Sequence, residues 1–384
     1  MEKQTTPFEE MQRYYRQRTL AASKWKEAGG TVVGCVGLSI PEELIIAAGC
    51  LPIQVTGDPS VSTTEVGDAY MEDTICPQVC SIHNLLLLGK YDFLDLVIFP
   101  HGNDSVRKCY FHVWTEKHDL GMPLPALAVF DMVHTKKYSA GLYVRERMGA
   151  FKAFLEEFTG RKISDAAIAA AIEACNENRR LLQKVAALRR EDPPRISGTE
   201  ALQIIGASFF MPKDEHNKLL RTYLEKADEL PAREGTRLFA SGTIVDNTQL
   251  YELVEARNAV IVSEDICTGD RYCDELVDTS REPLDALVDR YHTRSHEGRM
   301  VPISESVDYL LKGVRASGAQ GVVFNFLRWD DTHTWNYPEQ RAALERAGIP
   351  SIAFEMQEYR LAGAEQLRTR VDAFVEMIMA GEHE

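Results

Sequence analysis

The chain of 384 residues is poor in long apolar runs and in positive charge. No stretch approaches the roughly 18 consecutive apolar residues that a membrane helix needs. The N-terminal segment MEKQTTPFEEMQRYYRQRTLAASKWKEAGG lacks the apolar core of a signal peptide. Lys and Arg number 43 against 58 Asp and Glu, which gives a formal net charge of −15. The sequence therefore predicts a cytoplasmic protein whose main partner is neither nucleic acid nor a membrane.

Eight cysteines are present, and a reducing compartment disfavours disulfides between them. Cys35, Cys50 and Cys175 lie in or beside apolar patterns, which predicts that they are small core residues. The other five lie near turns and polar residues, where a metal or redox role is open: Cys76, Cys80, Cys109, Cys267 and Cys273.

Segments typical of strands and helices alternate in two parts of the chain. TVVGCVGLSI, LPIQVTG, FLDLVIFP and LPALAVFDM predict strands in the first part, and RLFASGTIV, AVIVSEDI, GVVFNFL and SIAFEM predict strands in the last. This alternation is typical of parallel sheets covered by helices. Residues 164–191 have helical periodicity, with Ser164 as a good N-cap. The sequence predicts an α/β fold with a first doubly wound lobe over 1–138, a helical region over 139–234 and a second lobe over 235–384.

The residues that follow each predicted strand are the candidate site, because ligands in open α/β sheets bind beyond the carboxyl ends of the strands. In the first part Cys76 directly precedes Pro77, a residue favoured in the first turn of a helix. A helix N-terminus lowers the pKa of a thiol and makes it a better metal ligand. The CxxxC spacing from Cys76 to Cys80 is a weak signal by itself.

Three more polar loops follow predicted strands. They contain, in turn, His101, Asn103, Asp104, Arg107 and Cys109, then Glu264, Asp265, Cys267, Arg271 and Cys273, then Arg328, Trp329, Asp330, Asp331, His333, Trp335 and Asn336. An ordinary polar loop or an ion pair would explain the first two as well as a site does, whereas two tryptophans amid polar groups favour a functional loop. Together the loops predict a cleft between the lobes, and its candidate substrate-binding residues are Glu264, Arg271, Trp329 and Trp335.

Several segments carry a family pattern when they are taken in order: IPEELIIAAGCLPIQVTG, LLLLGKYDFLDLVIFP, NENRRLLQKVAALR, FFMPKDEHNKLL, ASGTIVDNTQLYELVEARNAVIVSEDICTGDR and a strand–loop–YP–helix segment that closes with AGIP. In these the chain resembles the smaller subunits of the 2-hydroxyacyl-CoA dehydratase and benzoyl-CoA reductase family over nearly its whole length. The resemblance implies two Rossmann-like lobes with a helical region. It also implies a homologous second subunit in a heterodimer, an acyl-CoA thioester as substrate and an ATP-dependent iron–sulfur activator. The activator would supply one electron for radical chemistry at a 4Fe-4S cluster.

The family pattern implies three cysteines as cluster ligands. Cys76 matches the first of them. The second position, after the FP of the next strand, is Asn103, and the third, before the YP pair, is Asp330. The resemblance therefore implies Cys76, Asn103 and Asp330 as the metal-binding positions, and two of them lack a thiolate.

The sequence leaves three interpretations of this metal site open. The chain holds a cluster through Cys76 with Asp330 or with displaced cysteines such as Cys80 or Cys109. Alternatively, it holds a different metal through Cys76, His101 and Asp330. In the third interpretation the cluster is lost, and the chain is a structural or substrate-shaping partner of a cluster-bearing homologue.

A further interpretation needs no metal in this chain. Asp330, Asp331 and His333 lie close together and could act as catalytic acid–base groups. Neighbouring carboxylates can push their pKa values apart, which would suit such a role. In each case we expect a subunit of an enzyme, either a lyase or a CoA-thioester reductase.

Overall fold

Two four-stranded parallel sheets form the framework of this computed structural model, which describes residues 5–61, 65–296 and 302–381. The first sheet has the order β2-β1-β3-β4 and contains β1 (Val32–Cys35), β2 (Leu51–Gln54), β3 (Leu96–Pro100) and β4 (Ala126–Phe130). The second has the order β6-β5-β7-β8 and contains β5 (Thr236–Gly242), β6 (Ala259–Asp265), β7 (Gly321–Leu327) and β8 (Ser351–Gln357). The predicted α/β fold with two lobes is confirmed.

The apolar runs of the sequence become the inner strands of each sheet. Strands β1, β3 and β7 are buried at every position, as expected of parallel strands covered on both faces. In β5, Leu238 and Phe239 pack into separate core clusters on opposite faces of the second sheet. The edge strands β4 and β8 are only partly buried. Burial alone does not separate inner from edge strands, because the edge strand β6 is also buried at every position.

Six helices accompany the first sheet: α1 (Pro7–Arg16), α2 (Leu20–Glu27), α3 (Glu42–Ala47), α4 (Glu65–Tyr70), α5 (Pro77–Leu87) and α6 (Asp104–His118). The sequence predicts one helix over about 8–28, and the structure corrects this to two. Between them, Arg18 donates a hydrogen bond of 2.6 Å to the Thr56 hydroxyl and another to the main-chain carbonyl of Asp246. These contacts to both lobes outweigh the local preference for a continuous helix.

The middle of the chain is helical, as predicted. It contains α7 (Tyr138–Thr159), α8 (Asp165–Arg190), α9 (Gly198–Ala207) and α10 (Lys213–Leu224). The Ser164 hydroxyl caps α8 by accepting a hydrogen bond of 3.2 Å from the Ala167 N–H. Helix α8 packs against α3 and α10 and also against β6, so it contacts both lobes. The domain boundaries after residues 138 and 234 stay predictions.

The second sheet is accompanied by α11 (Gln249–Glu255), α12 (Asp270–Cys273), α14 (Ile303–Ser317), α15 (Asp331–Arg346) and α16 (Ala364–Gly381). Helix α13 (Pro283–Val288) packs instead against α7 and α8 and buries Ala286 and Leu287 in the core of the first lobe. Helix α15 begins well before Pro338, where the sequence predicts its start. Its first turn is capped by Asp330, whose carboxylate accepts a hydrogen bond of 3.4 Å from the His333 N–H. Among the described residues, no helix combines the length and apolarity needed to span a membrane.

Candidate active site between the lobes

A cavity of about 160 Å³ lies between the two lobes and is lined by both of them. Its walls are the segments that follow seven of the eight strands, namely all four strands of the first lobe, with His134 after β4, and β5, β6 and β7 in the second. The side of the cavity formed by Val36, Val79, Ile82 and Val106 is apolar. The position agrees with the rule that ligands bind beyond the carboxyl ends of parallel strands.

Three positions that are far apart in the sequence meet in this cavity. Cys76, Asn103 and Asp330 all line it, together with Arg271 and His333. The structure therefore brings together every position that the family pattern implies for a metal. The cavity also contains Arg271 of the predicted substrate-binding residues, and His333, which together with Asp330 belongs to the predicted catalytic residues.

Cys76 is the N-cap residue of α5 and is only 5% exposed. Its N–H donates a hydrogen bond of 3.1 Å to the Ser105 hydroxyl. Burial raises the pKa of the Cys76 thiol to about 12, and the nearby Asp330 carboxylate adds to this, against the opposing N–H groups of Gln78 and Val79. The sequence predicts a lowered pKa at a helix N-terminus, and this is corrected because burial outweighs the helix terminus.

Asn103 occupies the corresponding place at the start of α6. Its side-chain oxygen Oδ1 accepts a hydrogen bond of 2.9 Å from the Val106 N–H. Asn is among the most favourable N-cap residues, so this bond explains the residue locally. The oxygen that could coordinate a metal is thus already engaged by the helix backbone.

Asp330 is buried opposite Cys76 and is held on two sides. Its Oδ2 accepts a hydrogen bond from the Thr243 hydroxyl and lies 2.7 Å from Nδ1 of His333. The Thr243 hydroxyl in turn accepts a hydrogen bond of 3.0 Å from the Leu327 N–H. Burial opposes ionisation of Asp330, but His333 and Thr243 outweigh it and lower the pKa of the carboxyl group. Asp330 is therefore an oriented, ionised carboxylate.

Arg271 and Glu264, the two charged residues near β6 that were predicted to bind substrate, differ in their position relative to the cavity. Arg271 lines the cavity and forms an ion pair with Asp265. Glu264 does not line it, and its prediction as a substrate-binding residue is corrected. Its Oε1 lies 2.8 Å from Nη2 of the buried Arg189, and its Oε2 accepts a hydrogen bond of 3.2 Å from Tyr251. Glu264 neutralises a buried guanidinium of α8 instead of facing a ligand.

Trp329, Asp331 and Trp335 lie outside the cavity. Trp329 is 39% exposed and has a positive φ of 63°, and Trp335 is 78% exposed. Asp331 is exposed in the first turn of α15. Because residues two apart in a helix project from nearly opposite sides, the turn that directs His333 into the cavity directs Trp335 away from it.

The remaining ligand candidates are dispersed. Cys109 is buried in the core of the first lobe, and Cys80 packs against that core. His101 lies 2.6 Å from Asp131 and is exposed. None of these three lines the cavity, whereas Cys267 does. No disulfide joins the cysteines, all of which lie in the described part of the chain. Cys35, Cys50 and Cys175 are core residues, as predicted.

One compact set of potential metal ligands is present elsewhere, between α3 and α8. In the described ranges, the only group with three ligand atoms within 4.8 Å of one another is Glu42, Glu43 and Cys175. Arg179 lies 2.7 Å from Glu43, and Lys213 lies 2.9 Å from Glu42. These cations already compensate the two carboxylates, so the set is a buried ion-pair network.

Sequence reasoning missed a polar cluster that closes the cavity at the junction of the lobes. Gln78 donates a hydrogen bond of 2.7 Å to Asp246, and the Tyr359 hydroxyl lies 2.9 Å from both carboxylate oxygens of Asp246. Arg18 joins the main-chain carbonyl of Asp246 to Thr56. The members come from five separate segments, and the only local signal was the polar ending of two strands.

The comparisons with known proteins identify the family of the chain. The family described as 2-hydroxyglutaryl-CoA dehydratase, D-component, matches residues 38–378. The (R)-phenyllactyl-CoA dehydratase beta subunit of Clostridium sporogenes is 27% identical over 92% of this chain and 93% of its own. A benzoyl-CoA reductase subunit of Thauera aromatica is 28% identical over 88% of this chain and 89% of its own. The lactoyl-CoA dehydratase beta subunit of Anaerotignum propionicum is 24% identical over 92% and 93%. The chain belongs to the 2-hydroxyglutaryl-CoA dehydratase D-component family.

Proposed function

We propose that this chain is a cluster-free subunit of an enzyme that dehydrates or reduces a CoA thioester. Relatives described as beta subunits of dehydratases and as one subunit of a reductase support a homologous partner subunit. In this proposal the partner holds the 4Fe-4S cluster for one-electron chemistry and receives its electron from an ATP-dependent activator. A cytoplasmic location is also part of the proposal. The observation that carries it is the hydrogen bonding of Asn103 and Asp330.

The residues of the cavity do not fit a cluster held by three thiolates, the usual ligands of iron–sulfur clusters. Of the three positions that the family pattern implies, only Cys76 offers sulfur. The Asn103 oxygen caps α6, and the Asp330 carboxylate is held by Thr243 and His333. A cluster at these positions would therefore compete with a helix cap and with a buried carboxylate–imidazole contact.

The same contacts favour a role for this chain in general acid–base catalysis. Because Asp330 holds Nδ1 of His333, the other ring nitrogen, Nε2, is the one available to exchange a proton with a ligand in the cavity. An imidazole oriented by an ionised carboxylate is a common general acid or base. Loss of water from a hydroxyacyl group and reduction of a ring both need a proton delivered at a defined place.

Iron and sulfide analysis after anaerobic purification tests the cluster-free proposal. We expect the wild-type chain to contain no stoichiometric iron, and its homologous partner to contain it. The double variant Asn103→Cys/Asp330→Cys should gain about four irons per chain, because it restores the three-thiolate set. Adding Cys76→Ala to that variant should remove the iron again.

The matched control introduces the same number of thiols at nearly the same sequence positions. Asn103→Cys/Asp331→Cys differs from the test variant by one position, but Asp331 points away from the cavity, so no iron gain is expected. About four irons per wild-type chain, with the EPR signal of a cluster after reduction, would overturn the cluster-free proposal.

Activity measurements test the acid–base role. In the two-subunit enzyme, His333→Gln should lower kcat by about 10²- to 10⁴-fold, the usual contribution of a positioned acid or base. Asp331→Asn is the matched control, because this exposed carboxylate lies beside the site without lining it. Equal activity of His333→Gln and wild type would exclude a proton-transfer role for His333.

A further inference from the structure

The residues that directly follow β5, 243–246, connect the Asp330–His333 pair of the cavity to the first lobe. At one end of this segment, which we call the β5 loop, the Thr243 hydroxyl donates a hydrogen bond to Asp330. At the other end, the carboxylate of Asp246 accepts a hydrogen bond of 2.7 Å from Gln78 of α5. Thr243 and Asp246 are both buried, with exposed fractions of 4% and 5%. The β5 loop therefore contacts the acid–base pair and the first lobe at the same time.

The direction of the Thr243 hydroxyl is set by the end of β7. Its oxygen accepts a hydrogen bond of 3.0 Å from the Leu327 N–H, and the Thr243 N–H donates one of 2.8 Å to the Asn325 carbonyl. A hydroxyl has one hydrogen to donate, and that of Thr243 goes to Oδ2 of Asp330. The same Oδ2 lies 2.7 Å from Nδ1 of His333. Thr243 therefore restricts the orientation of Asp330, and Asp330 restricts that of His333.

Gly242 allows the close approach between the β5 loop and β7. Its φ of 116° is a conformation that residues with a Cβ rarely adopt. A Cβ at this position would also clash with the main chain of Asn325. A larger residue would thus push the β5 loop away from β7 and separate the Thr243 hydroxyl from Asp330.

The far end of the β5 loop is fixed by groups of the first lobe and of the segment after β6. The Asp246 carbonyl accepts hydrogen bonds from Arg18 and, at 3.2 Å, from the Tyr15 hydroxyl. The Val245 carbonyl accepts one of 2.6 Å from the Thr268 hydroxyl. Because the loop is bonded along its length, a shift of the first lobe would move Asp246 and, with it, the start of the loop.

We infer that Thr243 is a positioning residue for His333 and that the first lobe holds it in place through Asp246. This inference rests on the proposed function, which gives His333 its acid–base role. Thr243 acts through Asp330, because it keeps the carboxylate turned toward Nδ1 of His333. The ring proton then stays on Nδ1, and Nε2 is left to exchange protons. The acid–base pair is ordered only while the two lobes are docked.

The tautomer of His333 reports this positioning without any substrate. In the two-subunit enzyme, with ¹⁵N-labelled histidine in this chain alone, NMR at alkaline pH distinguishes a ring protonated at Nδ1 from one protonated at Nε2. His333→Gln identifies the signal, and the wild-type ring should be protonated at Nδ1. Thr243→Val removes the hydroxyl at nearly constant size. It should lower the ratio of Nδ1–H to Nε2–H tautomers by about tenfold, which corresponds to one ordinary hydrogen bond.

Two control variants test whether the hydroxyl itself is responsible. Thr243→Ser keeps a hydroxyl at the same position and should retain the wild-type tautomer ratio. Thr369→Val removes an exposed hydroxyl of α16 and should also leave the ratio unchanged. Equal ratios in Thr243→Val and wild type would overturn the positioning role. A fall of the same size in Thr243→Ser would overturn it as well, because the effect would not depend on the hydroxyl.

Gln78→Ala tests the link to the first lobe and gives an independent measurement if Thr243→Val does not fold. Because Asp246 loses one of its donors, the tautomer ratio should fall by about threefold. The double variant Gln78→Ala/Thr243→Val should have the ratio of Thr243→Val alone, since both changes act through the same hydroxyl. Gln366→Ala, at an exposed position, is the control and should have the wild-type ratio. An unchanged ratio in Gln78→Ala, or independent effects in the double variant, would overturn this link.

The outcomes separate this inference from the proposed function. The tautomer is measured without turnover, whereas the activity of His333→Gln tests the acid–base role. Loss of activity in His333→Gln, with a tautomer ratio that Thr243→Val does not change, would overturn the positioning role of Thr243 and keep the proposed function. Full activity of His333→Gln would overturn the acid–base role and, with it, this inference.

Discussion

Gln78, in the first turn of α5, donates a hydrogen bond of 2.7 Å to the carboxylate of Asp246, in the loop after β5, and thereby joins the two lobes beside the cavity. Both side chains are buried. Tyr359 lies 2.9 Å from the same carboxylate oxygens. Removing one partner of a buried hydrogen bond lowers the free energy of unfolding of a protein. We therefore expect this contact to help hold the two lobes together.

Gln78→Ala should lower the free energy of unfolding by about 1–3 kcal/mol, the usual cost of removing one partner of a buried charged group, and Tyr359 remains as the second donor to Asp246. Gln78→Glu should cost more, because a second carboxylate would face Asp246. Urea denaturation followed by circular dichroism measures both. Gln366→Ala, at an exposed position, serves as the control and should stay within about 0.5 kcal/mol of wild type. A loss no larger than the control's would show that the bond does not hold the lobes together.

Asp330 gives a prediction on pH. Its pKa is lowered from 3.8 in the folded chain, since His333 and Thr243 outweigh burial. The carboxylate therefore contributes stability above the unfolded-state pKa and loses it as the pH falls through the lower folded-state value. Asp330→Asn should cost about 1–2 kcal/mol at pH 7 and almost nothing once the wild-type carboxyl is protonated. Denaturation curves that extend from pH 7 to below the folded-state pKa measure this convergence.

The neighbouring Asp331 is the control for this pH effect. It is exposed, so Asp331→Asn should change stability by no more than about 0.3–1 kcal/mol, the usual size of a charge effect in the first helical turn. A difference between Asp330→Asn and wild type that persists at the lowest pH would contradict the prediction. Such a result would mean that Asp330→Asn lowers stability because the Asn side chain packs poorly, and not because the negative charge is lost.

Cys76 should be chemically inert in the folded chain. Its pKa of about 12 and its burial both suppress the thiolate, which is the reactive form. Alkylation by iodoacetamide at pH 8 should be at least about 1,000-fold slower in the native protein than in urea. Peptide mass spectrometry measures the rate, with half-buried Cys267 of the same cavity as an internal comparison.

Protection of Cys76 has a second possible cause, and a chelator separates the two. If burial alone protects the thiol, treatment with an iron chelator leaves the alkylation rate unchanged. If a bound metal protects it, the rate rises when the metal is removed. A chelator-dependent rate would therefore contradict the assignment of Cys76 as a buried, protonated thiol.

Local patterns predicted much of the fold. Strands β3 and β7 are visible as continuous apolar runs, and α8 as apolar residues repeated at helical spacing. Each of these patterns lies within one segment, so the two sheets and the helical middle could be predicted from the sequence. The break between α1 and α2 does not, because it depends on Arg18 reaching residues of both lobes.

The candidate site was predictable in position and less so in chemistry. The rule on strand ends and the family pattern place Cys76, Asn103 and Asp330 together. The contact between Thr243 and Asp330 spans 87 positions, and that between Gln78 and Asp246 spans 168, so no local signal encodes them. The raised pKa of Cys76 likewise depends on burial that only the packed lobes create.

Glu264 gives a prediction that separates a structural role from a substrate-binding role for an acidic residue near the cavity. It accepts hydrogen bonds from Arg189, which also lies 2.8 Å from Asp270, and all three side chains are buried. Glu264→Gln leaves the guanidinium with less compensation and should lower the free energy of unfolding by about 3–5 kcal/mol, as for other broken buried ion pairs. Glu376→Gln, at an exposed position, should have an effect of less than about 0.5 kcal/mol.

Because Glu264 does not line the cavity, the CoA affinity of the folded Glu264→Gln variant should equal that of wild type. Weaker CoA binding at full stability would instead restore Glu264 as a substrate-binding residue.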